Sequence, residues 1–190
     1  MVASAVVLAA SLGLLVLPAL AHRGQAPRAV VHRRKGVRER VVLALAGVAF
    51  LLALIWVATP LLQAADYAPR LELLIAGVVA YSMGLFLLFR SHRDLAAQWS
   101  ITLEVREHHA LVTHGVYRRI RHPMYLALLL YGTGQALALP NFVAGPAYLA
   151  ATVALVLLRL KPEERMMADT FGSGYQDYVA RTWKLVPGIW

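Results

Sequence analysis

One short stretch of the chain concentrates the side chains that could do chemistry. It runs from His108 to Tyr125, reads HHALVTHGVYRRIRHPMY and lies between two long apolar runs. Proline fixes its own φ and disfavours helix at the residue before it, so a helix should begin at Pro123, with His122 as its entry point. The start of a helix offers unpaired backbone N–H groups, and polar side chains would stand beside them. The candidate residues here are His108, His109, His114, Tyr117, Arg118, Arg121, His122 and Tyr125.

A second set of candidates follows near the carboxyl end: Arg159, Glu163 and Glu164. Arg159 and Glu163 are four residues apart, so they share one face if a single helix continues through them. Pro162 leaves another possibility open, in which a new helix begins there with both glutamates in its first turn, where the helix dipole favours them. The sequence does not decide between these two arrangements.

Each of these features also has a plainer explanation. Arginines beside apolar runs anchor proteins to lipid headgroups, and tyrosines at the same level form an interfacial belt. The histidines could be metal ligands, but no carboxylate stands at ligand spacing, so no metal site is predicted. The chain has no cysteine, which excludes disulfides, thiolate zinc sites and cysteine nucleophiles.

Composition indicates a membrane protein. The apolar fraction of 59% exceeds the roughly 45–50% expected of a soluble domain, and the mean hydropathy is +0.60. A net charge of +9 could suggest a nucleic-acid partner. The basic run from Arg33 to Arg40 is explained instead by a loop that binds anionic headgroups, so no nucleic acid is predicted.

The apolar runs predict an all-α integral membrane fold with about five transmembrane helices, at about 2–20, 41–62, 71–89, 123–139 and 147–158. A cytoplasmic helical tail should follow, with a helix over 162–170, a break at 172–174 and a further segment over 175–183. We expect one domain: three anchoring spans in 1–89 with the basic loop 22–40, and a catalytic core in 90–190. That core comprises the motif 108–125, a helical hairpin 123–158 and the tail 159–190. The first run could alternatively be a cleaved signal peptide, but no Lys or Arg precedes it.

The basic residues predict the orientation of the chain. Segments 22–40, 90–122 and 159–190 hold 7, 6 and 5 of the 19 Lys and Arg residues, and only Arg70 falls in the opposite loops. Positive charge concentrates in short cytoplasmic loops. The amino terminus should therefore be outside and the carboxyl terminus inside, which brings both sets of candidates to the cytoplasmic face of the membrane.

The order and spacing of these residues resemble the isoprenylcysteine carboxyl methyltransferase family. The pattern is HxLVxxGxYxxxRHPxY, then an apolar hairpin, then RxxxEE and FGxxYxxY. Membrane phospholipid methyltransferases share the shorter RHPxY and EE pattern. In this chain the later motifs are Arg159 with Glu163-Glu164, then Phe171-Gly172, Tyr175 and Tyr178. The resemblance covers about residues 90–190.

The resemblance implies an integral-membrane enzyme that uses S-adenosylmethionine without a Rossmann domain and takes a lipophilic or prenylated acceptor from the membrane. It implies that Arg159 orients the acceptor's carboxylate. It also implies that Arg159 and Glu163 are the catalytic residues. The acceptor could instead be a phospholipid headgroup or a small thiol. A non-catalytic lipid- or partner-binding protein and a membrane reductase are further alternatives. The residues implied to line the cofactor are His109, Ala110, Leu111, Val112, Tyr117, His122, Pro123, Met124, Tyr125 and Glu163.

Overall fold

Six α-helices form the described part of the chain. The structure, a computed structural model, describes residues 1–23, 30–33, 37–95, 104–106 and 111–190. A short antiparallel pair of strands joins the segments after the first and third helices. These strands were not predicted. The elements are α1 (Val2–Ala21), β1 (Val30–Arg33), α2 (Val37–Ala58), α3 (Leu71–Leu95), β2 (Glu104–Arg106), α4 (Pro123–Ala138), α5 (Ala144–Phe171) and α6 (Ser173–Arg181).

The expected all-α membrane fold is confirmed. Among the described residues, α1, α2, α3 and α5 are each long and apolar enough to cross a bilayer. The fourth predicted span, α4, has 16 residues and would extend about 24 Å, less than the ~30 Å of a hydrocarbon core. Five crossings therefore stay a prediction, although each of the five apolar runs does form a helix.

The predicted boundaries were wrong for the second and third spans. Helix α2 ends at Ala58 rather than near residue 62, because Pro60 disfavours helix at Thr59. Helix α3 continues to Leu95 rather than ending at 89. Its last turns bury Ser91 and His92, which are 0% and 2% exposed, so the polar run there is still packed helix.

The largest correction concerns the fifth span and the tail. The predicted segments 147–158 and 162–170 are one helix of 28 residues, with Pro162 inside it. Proline removes one backbone hydrogen bond, but packing holds the helix on both sides of it. Leu160 is buried before Pro162, and the glutamates beyond it contact the motif 108–125. The break near 172 is confirmed, since Gly172 has φ +53, but α6 begins immediately after it.

Helix α4 is packed between α3 and α5. The backbones of α3 and α4 approach so closely that a Cβ on Gly84 would lie 2.8 Å from the backbone nitrogen of Tyr131. The Tyr131 ring meets Tyr81 of α3 and Tyr148 of α5 edge-on, with centroid distances of 4.8 and 5.1 Å. These contacts hold the middle of α4 against the middle of α3 and the first part of α5.

The helix ends gather at two opposite ends of the bundle. At one end, the side chain of Asn141, between α4 and α5, donates to the Leu62 carbonyl and to Asp66, which also accepts from Trp56. At the other end His22, after α1, contacts His92 of α3 at 2.9 Å. The first turn of α4 and the last turns of α5 belong to this second end, hereafter the site end.

Candidate functional site

A turn of 3₁₀ helix, Gly115–Arg118, starts the site. The Oδ2 atom of Asp94, in the last turn of α3, accepts a hydrogen bond of 2.8 Å from the Val116 N–H. Gly115 has φ +59, and a Cβ added there would overlap the Asp94 carboxylate. The positive φ and the lack of room for a Cβ both favour glycine at position 115. Sequence reasoning did not single out Asp94, because nothing in the local pattern marks a contact with a turn 22 residues away.

The turn buries Tyr117, which is 7% exposed. Its backbone carbonyl accepts a hydrogen bond of 2.7 Å from the hydroxyl of Tyr178 in α6. Burial raises the pKa of the Tyr117 hydroxyl, and the negative charge of Glu163 raises it further. Burial also raises the pKa of Tyr178, to about 12, against the opposing effect of Arg121. Both hydroxyl groups therefore stay protonated at neutral pH.

Helix α4 begins as expected, with His122 as its N-cap residue and Pro123 as its first residue. The His122 ring is 7% exposed and stacks on Tyr125, with centroids 5.6 Å apart. Its Nδ1 lies 3.9 Å from Oε1 of Glu163 and its Nε2 lies 3.5 Å from Oε1 of Glu164. The Tyr125 hydroxyl donates a hydrogen bond to Glu163 Oε2. Two chain segments about 40 residues apart thus meet at one pair of glutamates.

Arg121 connects the same loop to the carboxyl-terminal residues. Its Nε lies 3.4 Å from Oε1 of Glu164, and its Nη1 donates to the carbonyls of Val179 and Thr182. The backbone N–H of Arg121 donates to the carbonyl of Trp183 at 2.8 Å. The guanidinium group is therefore engaged within the protein, and a headgroup anchor is not its main contact.

Arg159 lies one turn before Glu163 on the continuous helix α5 and is partly buried. The arrangement that the sequence left open is thereby decided, because one helix passes through Pro162 and places the two side chains on the same face. Arg159 lies toward the apolar part of α5, where Leu155 and Leu160 belong to a buried cluster with Tyr125.

The structure brings together only part of the predicted set. Pro123 and Tyr125 are buried, while Leu111, Val112 and Met124 are partly buried. His114 and Arg118 are exposed. The predicted residues His108, His109 and Ala110 lie outside the described residues. Within the described ranges, no group of three His, Asp or Glu side chains is arranged to hold a metal ion.

The group formed by His122, Tyr125, Glu163 and Glu164, hereafter the cluster, has a distinct electrostatic character. The Glu163 side chain is 28% exposed, so the protein covers it only in part. The rings of Tyr125 and His122 stand beside it. A carboxylate flanked by aromatic rings attracts a positively charged ligand, through direct charge attraction and through cation–π contact.

Comparison with known proteins assigns this chain to a family. Residues 73–174, more than half of the chain, match the family model described as phospholipid methyltransferase. The matched part contains nearly all of α3, the whole of α4 and α5, and the turn between α3 and α4.

Individual relatives agree with this match. Protein-S-isoprenylcysteine O-methyltransferase A of Arabidopsis thaliana is 35% identical over 89 residues, which are 47% of this chain and 45% of that protein. The Protein-S-isoprenylcysteine O-methyltransferase of Dictyostelium discoideum is 31% identical over 86 residues, 45% of this chain and 36% of its own length. This chain thus spans less than half the length of either relative.

A solved structure of the eukaryotic intramembrane Ras methyltransferase ICMT covers 82% of this chain and 54% of its own, with a TM-score of 0.55 and 25% identity. The resemblance to isoprenylcysteine carboxyl methyltransferases is thereby confirmed. This chain is an integral membrane protein that belongs to the phospholipid methyltransferase family.

Proposed function

We propose that this chain is a membrane methyltransferase that uses S-adenosylmethionine and methylates the carboxylate of a lipophilic, isoprenylcysteine-like acceptor. The observation that carries the proposal is the meeting of His122 and Tyr125 with Glu163, where the first turn of α4 lies beside the later turns of α5. The names of the relatives support the same reaction. Residues 90–190 would carry the catalytic core, and 1–89 would anchor it.

The side chains present suit the proposed methyl donor. S-adenosylmethionine supplies a methyl group on a positively charged sulfonium, next to an ammonium group. Glu163 would bind the positive end of the donor, and the rings of Tyr117, His122 and Tyr125 would line the pocket beside it. Leu111, Val112, Pro123 and Met124 would complete the apolar part of the lining, together with His109 and Ala110.

The protein's own contribution would be to position the reactants and exclude water. A carboxylate acceptor is already nucleophilic, so no strong base is needed. Arg159 would hold it through two parallel hydrogen bonds, which lysine could not supply. Because Arg159 lies on the apolar side of Glu163, a lipid tail could stay in the bilayer while its polar end reaches the site.

We also propose that the site faces the cytoplasm, with the amino terminus outside. The succession of helix ends supports an odd number of crossings, since the ends of α1 and α3 share one end of the bundle with the start of α4. The positive charge of the flanking segments supports the cytoplasm as that side.

A second candidate is methylation of a phospholipid amine headgroup, which the description of the matching family model favours. Arg159 would then hold the phosphate, and His122 would take the proton from the amine. The two candidates share the donor and differ only in the acceptor.

The test begins with calorimetric titration of detergent-purified protein with S-adenosylmethionine and with its demethylated product. We expect micromolar binding that Glu163→Gln abolishes. Asp169→Asn, which neutralises an exposed carboxylate on the same helix, should leave it unchanged. Absence of binding to folded wild-type protein would overturn the proposal.

The acceptor is then decided by transfer of a radiolabelled methyl group. An S-prenylated cysteine with a free carboxylate should be labelled as a base-labile ester, and the same compound with an amidated carboxyl group should not. Labelling of phosphatidylethanolamine instead would establish the second candidate.

A further inference from the structure

The second glutamate of the pair, Glu164, is held by three basic side chains. Oε2 of Glu164 lies 2.9 Å from Nζ of Lys184, in the carboxyl-terminal segment. Its Oε1 lies 3.4 Å from Nε of Arg121 and 3.5 Å from Nε2 of His122. The pair with Lys184 is the shortest of these contacts, and both of its side chains are mostly shielded, at 25% and 20% exposed. Glu164 thus faces three basic side chains, whereas Glu163 accepts a hydrogen bond from Tyr125 and lies beside the His122 ring.

The backbone around Lys184 is bonded to the same loop. The His122 N–H donates to the carbonyl of Lys184 at 3.1 Å, and the Trp183 N–H donates to the carbonyl of Arg119 at 2.9 Å. Residues 183 and 184 therefore run beside 119–122, with Ile120 and Trp183 paired in parallel. A displacement of Lys184 would be transmitted directly to the backbone of His122.

The far side of this segment is also fixed. Leu185 is 2% exposed and packs in the cluster that contains Tyr125 and Leu160. The ammonium group of Lys184 lies 5.7 Å from the centre of the Trp190 ring. These contacts and the ion pair with Glu164 hold the segment of Lys184 beside the start of α4.

We propose that Lys184 is a positioning residue for the donor pocket and that the paired glutamates divide two tasks. Glu164, clamped to Lys184, fixes the place of His122 at the start of α4. Glu163 is left to contact the donor. This inference rests on the proposed function, because the pocket that is positioned is the donor pocket.

The test is a double-mutant cycle on donor binding. Lys184→Met should raise the dissociation constant for S-adenosylmethionine about fivefold or more, whereas Lys184→Arg should stay within about twofold of wild type. In a Glu164→Gln background, Lys184→Met should add less than about twofold, because its partner charge is already gone. Lys161→Met, which removes an exposed lysine from α5, is the matched control and should have no effect.

The same variants give a readout that needs no donor. The backbone amides of Arg121 and His122 should exchange hydrogen about tenfold faster in Lys184→Met and at the wild-type rate in Lys184→Arg. Equal effects of Lys184→Met in both backgrounds, or unchanged exchange, would overturn the role of Lys184. If the wild-type protein does not bind the donor, the proposed function fails, and the exchange rates alone decide whether Lys184 positions His122.

Discussion

The hydroxyl of Tyr125, in the first turn of α4, donates a hydrogen bond to the carboxylate of Glu163, near the end of α5. The two residues are 38 positions apart and meet only because the α4–α5 hairpin is closed. The bond therefore links the proposed donor-binding carboxylate to the helix start that the RHPxY motif creates.

Tyr125→Phe tests this bond while keeping the ring. Because a hydrogen bond to a charged group contributes roughly 1.5–3 kcal/mol, we expect the dissociation constant for S-adenosylmethionine to rise about tenfold or more. Calorimetric titration measures the change. Tyr67→Phe at the opposite end of the bundle, where the hydroxyl makes a long bond of 3.4 Å to Leu139, serves as the control. Unchanged affinity in Tyr125→Phe would place the donor away from this bond.

Arg159→Lys should separate the acceptor from the donor. Lysine keeps the charge but loses the planar pair of donors, so the KM for a carboxylate acceptor should rise about tenfold while donor affinity stays the same. Arg165→Lys, at an exposed position on the same helix, is the matched control. An equal loss of donor affinity would assign Arg159 to the donor pocket instead.

Gly115→Ala should disrupt the turn that carries Tyr117. The left-handed backbone costs a residue with a side chain about 1–2 kcal/mol, and the added methyl overlaps Asp94. We expect a lower unfolding temperature and weaker donor binding. Gly174→Ala should be tolerated or slightly stabilising, because that glycine is within α6 and nothing lies within 4 Å of a Cβ there. A Gly115→Ala protein that unfolds and binds the donor like wild type would show that the turn is dispensable.

Asn141→Ala should destabilise the protein without altering the site. Its side chain makes four hydrogen bonds, to Leu62, Asp66 and the N–H groups of Val143 and Ala144. Losing them should cost about 2–4 kcal/mol of unfolding free energy. The protein that remains folded should bind the donor with wild-type affinity. Reduced affinity in that fraction would reveal coupling between the two ends of the bundle.

The absence of cysteine from the chain makes the orientation directly testable. Leu61→Cys and Ser173→Cys would each introduce a single thiol, at exposed positions on opposite ends of the bundle. In intact cells a membrane-impermeant maleimide should label only the first of these. Labelling of the second alone would reverse the proposed orientation.

Local chemistry explains what could be predicted from the sequence. The start of α4 at Pro123 was predictable because proline restricts its own backbone and that of His122. The break at Gly172 was predictable because glycine readily adopts the positive φ that ends the helix there. The continuation of α5 through Pro162 was not, because contacts with residues far along the chain hold that helix together. The contacts of Asp94 with Val116 and of Lys184 with Glu164 could not be predicted either, because each joins residues that are distant along the chain.

The uninterrupted course of α5 has a consequence for the membrane itself. From Ala144 to Glu163 the helix rises about 28 Å, at about 1.5 Å per residue, close to the ~30 Å of a hydrocarbon core. The length of the helix thus sets the distance across the membrane between Asn141 at one end and the paired glutamates at the other. Lengthening it by one residue would lift the carboxylates by about 1.5 Å and swing them around the axis by about 100°. We therefore expect the proposed reaction to depend on lipid chain length, because a thicker bilayer would place the glutamates in hydrocarbon and a thinner one would place them in water.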